Sequence, residues 1–441
     1  MISKSRLNRI ITLALPIIGG MVSQNVLNLV DTAMVGTLGD AALAAVGMGS
    51  FANFFCQALI LGISTGVQAT SSRRKGEGKI DLMATPLNTG LVIVLVCGAL
   101  LTLVLYQVIP FLYPFLNSDP NVVAFGAPYL QIRVLAIVFV GMNFAFRGYF
   151  NGVDLPKVYM ATLITMHISN LLLNYLLIFG NFGFPKLGVS GAALGTTLAT
   201  AFGSLVYFFY ALKLARKNGF LKELPTIKEI TSMIKLSLPS GIQQMFFAAG
   251  FTALYWIIGQ IGTRELAASN VLVNLILICV LPGLGLGIAS ASLVGQALGN
   301  GNPDDAEAWA WDVVKVGGAF LAVASLPLIL PPQLLLAIFI HDPITLELAT
   351  LPVRVAGATI CIDAAGLILL NSLAGAGDTK TVMFVSIFLQ WFLFLPLAYL
   401  LGPFLGGSLL TIWVLHVGYR SLQALIFGIL WKRGKWKGIS V

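Results

Sequence analysis

The chain has 441 residues, of which 58% are hydrophobic and only 10% charged, against about a quarter charged in an ordinary soluble domain. Its solvent is therefore mostly lipid. The net charge of +9 is not a nucleic-acid signature, because the basic residues cluster at the ends of alternate apolar runs rather than along one groove, and no nucleic-acid partner is expected.

Apolar runs of about 20 residues recur along the whole length, as in polytopic helical membrane proteins. Punctuation predicts spans at 10–36, 43–70, 87–113, 122–150, 158–181 and 188–214, then at 231–259, 266–297, 312–340, 347–373, 380–402 and 406–431. The basic opening MISKSRLNRI has the character of a signal peptide's n-region. The apolar stretch behind it is too long for an h-region and lacks a clear cleavage site, so a retained first helix is expected. The most charged linker, KLARKNGFLKELPTIKEITSMIK (213–235), marks the division of the chain. It gives an N-lobe (1–212, spans one to six), a cytoplasmic linker (213–230) and a C-lobe (231–441, spans seven to twelve).

Orientation follows from the loops. Lys4, Arg6 and Arg9 precede the first span; Arg73, Arg74, Lys75 and Lys79 follow the second, and Lys157 the fourth. The 213–235 cluster follows the sixth, Lys380 the tenth, and Lys432, Arg433, Lys435 and Lys437 the last. The opposite loops hold only Lys186 and Arg264, so both termini are expected in the cytoplasm of a cell with the protein in its inner (plasma) membrane. The acidic loop GNGNPDDAEAW (299–309) breaks the pattern, although acidic residues weigh little in it. Cys56, Cys97, Cys279 and Cys361 all fall within apolar runs without metal-like spacing and read as packing residues.

The most informative stretch is Leu13–Gly39. Gln24, Asn28 and Asp31 stand there at i, i+4 and i+7, one face of a helix. An ionisable group at the centre of a span costs roughly 2.5–3.5 kcal/mol on insertion scales and is usually functional. A polar stripe ending in a carboxylate reads as the lining of a wet cavity, and the expected role of Asp31 is proton coupling. Burial favours a neutral carboxyl and a bound cation favours the ionised one, so proton and cation compete for a single group. Pro16, with Gly19 and Gly20 beside it, permits bending of the same helix, and Pro239 stands at the equivalent place in the seventh span.

That equivalence belongs to an internal repeat. LALP at 13–16 matches LSLP at 236–239, an offset of 223 that also pairs Gly36 with Gly259, Gly62 with Gly285 and Gly76 with Gly299. NGVDLPK (151–157) pairs with GAGDTK (375–380) within two residues of it. Two six-span halves of one orientation predict an all-α membrane protein of twelve transmembrane helices in two lobes, related by a pseudo-twofold axis along the membrane normal.

Five stretches carry a family resemblance: ALPIIGGMVSQNVLNLVDTAMVGTLG in the first span, the glycine- and alanine-spaced start of the second, SNLLLNYLLIFGNFGFPKLGVSGAALGTT across the fifth and sixth, LPSGIQQ in the seventh and NSLAGAGDTK after the tenth. Together with twelve spans and the repeat, the chain resembles the multidrug and toxic compound extrusion (MATE) family of secondary transporters over nearly its whole length. The resemblance implies a cation-driven antiporter that exports amphipathic, often cationic organic compounds by alternating access. Residue by residue, it implies a coupling aspartate at Asp31 and cavity-lining partners at Asn170, Asn174 and Thr196, with Gln24 and Asn28 beside them; His167 lies one turn before Asn170. Many members carry an aspartate where this chain has Asn174, and its absence weakens the case for Na⁺. In the second lobe, members of a sodium-coupled subgroup use a seventh-span glutamate and a tenth-span aspartate. The aspartate is present as Asp363, while Phe247 stands at the glutamate position with Gln243 and Gln244 nearby.

Several roles stay open at this point. Asp363 reads equally as a second functional carboxylate or as a helix-packing hydrogen bonder, with no basic partner one turn away on its own helix. His167 reads first as a buried, hydrogen-bonded histidine and second as a proton relay. The rivals to a proton-coupled exporter are a Na⁺-coupled drug antiporter and a related flippase of lipid-linked or metabolite cargo. An intramembrane enzyme lacks its groups: there is no HExxH and no paired histidine ligand set. No metal or cofactor is expected, the drive being an ion gradient. The expected partners are small organic cations and the bilayer, with the protein acting as a monomer.

Overall fold

The computed structural model describes residues 2–117 and 119–441. Among these residues the regular elements are all helical. The twelve principal segments are α1 (Lys4–Gly36), α2 (Asp40–Gly76), α3 (Ile80–Phe115), α4 (Pro120–Val134 and Ile137–Gly152, bent by 48° at the break), α5 (Pro156–Phe179) and α6 (Val189–Leu214), followed by α7 (Ile227–Gly259), α8 (Thr263–Gly299), α9 (Pro303–Ala324), α10 (Pro343–Gly375), α11 (Thr379–Phe404) and α12 (Leu409–Arg433). Ten are single helices long and apolar enough to cross a membrane, and the bent α4 makes an eleventh. Side chains such as Leu100, Leu103 and Val104 on α3 are more than half exposed, as an exterior facing lipid rather than water allows.

The ninth segment departs from the expected span at 312–340. The helix starts nine residues earlier, where Pro303 takes the first turn and the Asn302 side chain accepts from the Asp305 amide. It ends at Ser325, and only the short helices Leu326–Ile329 and Pro332–Leu336 follow. Pro327, Pro331 and Pro332 lack the amide hydrogens that a continued helix needs. Apolar hydropathy ran through this break, which is why the pattern placed the span too late.

Contacts divide the chain into two units, Gly19–Gln244 and Met1–Ile18 with Met245–Val441. The division falls inside α1 and α7 rather than in the 213–230 linker, since a charged linker marks where a chain is solvated and not where packing changes. Each lead helix therefore begins in one unit and ends in the other. The repeat explains where. In the first unit α2 and α7 cross at Gly62, where a Cβ would meet the Gly241 nitrogen at 2.5 Å. In the second, α8 and α1 cross at Gly285, where a Cβ would stand 2.5 Å from Ile18 Cγ1. Gly62 and Gly285 differ by the offset of 223, as do Ile18 and Gly241. Of the glycines paired by sequence, Gly62 and Gly285 thus do one job twice: they let two helices approach, whereas Gly36 and Gly259 meet no such crossing.

The second unit also accounts for the acidic loop that broke the charge pattern. Arg6 bridges Asp305 at 2.8 Å and Asp312 at 2.7 Å and lies over the Trp309 ring at 3.9 Å. Arg9 donates to Gln296 at 2.5 Å. From the other end of the chain, Lys437 reaches Glu307 at 2.8 Å and Asp304 at 2.9 Å, while Trp436 stacks on Trp431 at 3.9 Å. The carboxylates of Glu307 and Asp304 hold the Lys437 ammonium above the usual lysine range. The acidic start of α9 is a clasp for both ends of the chain.

Candidate functional site

The polar stripe of the first span is a real helix face. α1 runs unbroken through Pro16, Gly19 and Gly20 to Gly36. Gly20 serves packing as well as freedom: a Cβ there would lie 2.7 Å from Tyr159 Cε1 on α5. That close approach sets α1 along α5, whose His167, Asn170 and Asn174 stand at i, i+3 and i+7 and so share a face.

Two polar groups form between these helices. In the one nearer the C-terminal end of α1, the Asn174 amide donates to Asp31 Oδ1 at 2.9 Å. With its amide nitrogen turned to the carboxylate, Asn170 donates to Asp31 Oδ1 at 2.9 Å, and its carbonyl accepts from Thr196 Oγ1 at 3.1 Å. Both asparagines are almost fully buried, at 2% and 1% exposure, while Asp31 is half-buried. The carboxylate is therefore held from the protein side and reachable from the other. In the other group Gln24 donates to Asn28 at 3.1 Å and faces His167 Nε2 at 3.2 Å. Asn28 thus sits on the expected face but bonds to Gln24 rather than to Asp31.

Two contributors escaped the sequence reading. Gly195 on α6 faces Asn174 so closely that any Cβ would collide with the asparagine Oδ1. The G-A-A-L-G spacing at 191–195 is the small-xxx-small signal that gives it away. Arg133, on α4, acts on Asp31 through its charge, and its Nε is buried without a hydrogen-bond partner among the described residues. An arginine near a span end reads as snorkelling, and nothing in one helix's pattern says that it turns inward.

The other candidates lie elsewhere. Gln243 and Gln244 close the first unit's share of α7, whereas Asp363 belongs to the second unit. Asp363 has the basic partner its own helix lacks: Arg420 on α12 donates through Nε at 2.5 Å and also through Nη2 to the same carboxylate oxygen. Helical spacing cannot find a partner on another helix. Among the described residues no three His, Cys, Asp or Glu side chains gather as a metal site.

The MatE family model matches residues 16–176 and 239–400. The chain belongs to the MatE family. The two matched segments begin 223 residues apart, the offset of the repeat. Relatives run the length of the chain: "Probable multidrug resistance protein NorM" of Thermotoga maritima is 24% identical over 97% of this chain and 92% of its own. The protein of the same name from Rhizobium meliloti is 29% identical over 86% and 83%. Among solved structures, an outward-facing multidrug resistance MATE family transporter of the MOP superfamily is similar with a TM-score of 0.89 at 20% identity, covering 98% of this chain and 96% of that one. The fold is that of the MATE transporters.

Proposed function

We propose that this MatE protein exports amphipathic, often cationic organic compounds in exchange for protons, by alternating access, and that Asp31 is the group that proton and substrate share. One observation carries the reading: the only carboxylate deep in α1 is half-exposed and its hydrogen bonds come from neutral amides, Asn170 and Asn174, with Arg133 acting on it only through its charge and not as a bonded partner. A carboxylate so held takes a proton when its surroundings dry and gives it up when a cation or water arrives. Names of relatives over most of the chain, multidrug resistance proteins, support drugs and toxins as cargo. The drive suffices, since one charge moving through 100 mV yields about 2.3 kcal/mol.

In this reading Gln24, Asn28 and Thr196 line the cavity with the two asparagines, and α1 bends between Pro16 and Gly20 when Asp31 is protonated. The bend falls where α1 passes from one unit to the other. Both termini lie in the cytoplasm, the protein works as a monomer in the inner membrane, and cargo leaves the cell.

The test is transport of a fluorescent organic cation into liposomes under an imposed pH gradient, with and without Na⁺, for wild type and Asp31→Asn. Uphill transport that needs the proton gradient, ignores Na⁺ and vanishes in the variant is the expected result. Na⁺-driven transport, or transport that persists in Asp31→Asn, would overturn it. No transport of any organic cation would favour lipid-linked or metabolite cargo.

A further inference from the structure

The second unit carries a polar centre to which the proposed mechanism gives no work. Asp363 receives Arg420 Nε at 2.5 Å and Nη2 on one oxygen. The third guanidinium nitrogen donates to Gln423 Oε1 at 2.7 Å, and Gln423 in turn donates to Ser386 at 3.3 Å. The side chains of the pair are only 13% and 19% exposed. Beside it, the His416 ring packs edge-on against Phe394, Trp413 and Tyr419 at 5.3–5.5 Å. A small cavity of about 20 Å³ is lined by Thr359, Asp363, His416, Arg420 and Ser421, enough for a water or a bare ion and far too little for a drug-sized molecule.

We propose that Arg420 is a tethered cation that occupies the tenth-span carboxylate and excludes Na⁺ from it, which makes Arg420 the residue that sets ion selectivity in this unit. The proposal rests on the antiporter reading and deepens it by naming what keeps Na⁺ out. A hard monovalent cation is held by oxygens and needs net negative charge to offset its lost hydration. Carboxylate, hydroxyl and amide oxygens are all at hand here: Asp363, Thr359, Ser421 and Gln423. The charge alone is missing, because a guanidinium already neutralises the carboxylate. That guanidinium stays protonated at any pH the cell meets. It is also intramolecular, so its effective concentration exceeds that of a free ion by orders of magnitude. Its fork takes two bonds to one Asp363 oxygen and one to Gln423, which uses two of the oxygens a free ion would need. Helix α12 thus supplies from within what a sodium-coupled unit would take from solution.

The experiment is ²²Na⁺ binding to purified full-length protein in detergent, with choline chloride as the ionic control, for wild type, Asp363→Asn, Arg420→Gln and the double variant. Wild type should bind no ²²Na⁺ saturably, Arg420→Gln should gain saturable binding, and the double variant should lose it again. Two results overturn the proposal: wild-type binding that Asp363→Asn abolishes, or a monodisperse Arg420→Gln protein that binds none. If Arg420→Gln does not assemble, Arg420→Met takes its place with the same two outcomes. With Asp31→Asn measured alongside, wild-type binding removed by Asp31→Asn but not by Asp363→Asn would refute proton coupling at Asp31 and leave Asp363 occupied as proposed.

Discussion

The two units are built from one repeat, and each places an aspartate deep in a span, yet the two carboxylates live in opposite company. Asp31 meets the amides of Asn170 and Asn174, dipoles that accept either protonation state of a carboxyl. Asp363 meets a guanidinium, a full charge that accepts only one. A group that must exchange a proton for a cation at every cycle has to stand free of a directly bonded counter-ion, whereas a group paired with an arginine is fixed. On the proposed reading, this asymmetry would leave ion exchange to one unit and a selectivity-setting pair to the other. A shared fold therefore does not imply a shared site; the partners of each carboxylate decide.

The comparison can be broken or sharpened by changing those partners. The largest effect is expected from Asp31→Asn, which should abolish gradient-driven uptake in liposomes. Next comes Asn174→Ala. A hydrogen bond to a charged group is worth about 1.5–3 kcal/mol, so transport should fall by about 10- to 100-fold, measured as initial uptake rate, with the protein still monodisperse. Unchanged uptake would mean that the asparagine is helix-packing glue. Thr196→Val removes only a neutral contact to Asn170, and a loss of roughly 2- to 10-fold is expected in the same assay.

The smallest effect concerns the clasp and bears on stability alone. The folded pKa of Lys437 is raised by Glu307 and Asp304. Its contribution is therefore present in full below the unfolded value of 10.5 and is lost as pH rises through the higher folded value. Wild type should melt slightly above Lys437→Gln at pH 8, and the two should converge at strongly alkaline pH. A gap that persists there would show that the lysine acts through packing.

Much of the fold was legible in the residues, and the reason is specific. Lipid forces every backbone group into a helix, so apolar length and punctuation locate spans almost unaided. The offset of 223 predicted paired glycines, and Gly62 and Gly285 prove to be the two crossing points. The ninth segment misled because hydropathy continues past Ser325 while the prolines there end the helix. The unit boundaries were hidden for another reason: nothing local distinguishes the part of α1 before Ile18 from the part after it. At the site, the i, i+4, i+7 face of α1 brought Asp31 forward, and the family motif brought Asn170, Asn174 and Thr196 to it. The partners that periodicity cannot see, Arg420 for Asp363 and the inward turn of Arg133, come from other helices, where only the folded chain brings them together.

The most direct measurement is proton release on substrate binding. Purified protein in weakly buffered detergent, brought to a pH at which Asp31 is protonated, is mixed with a non-titratable organic cation while a pH dye is followed. If proton and substrate share Asp31, wild type releases about one proton for each cation bound and Asp31→Asn releases none, while Asp363→Asn behaves as wild type. Cation binding without proton release in the wild type, or equal release from Asp31→Asn, would contradict the assignment.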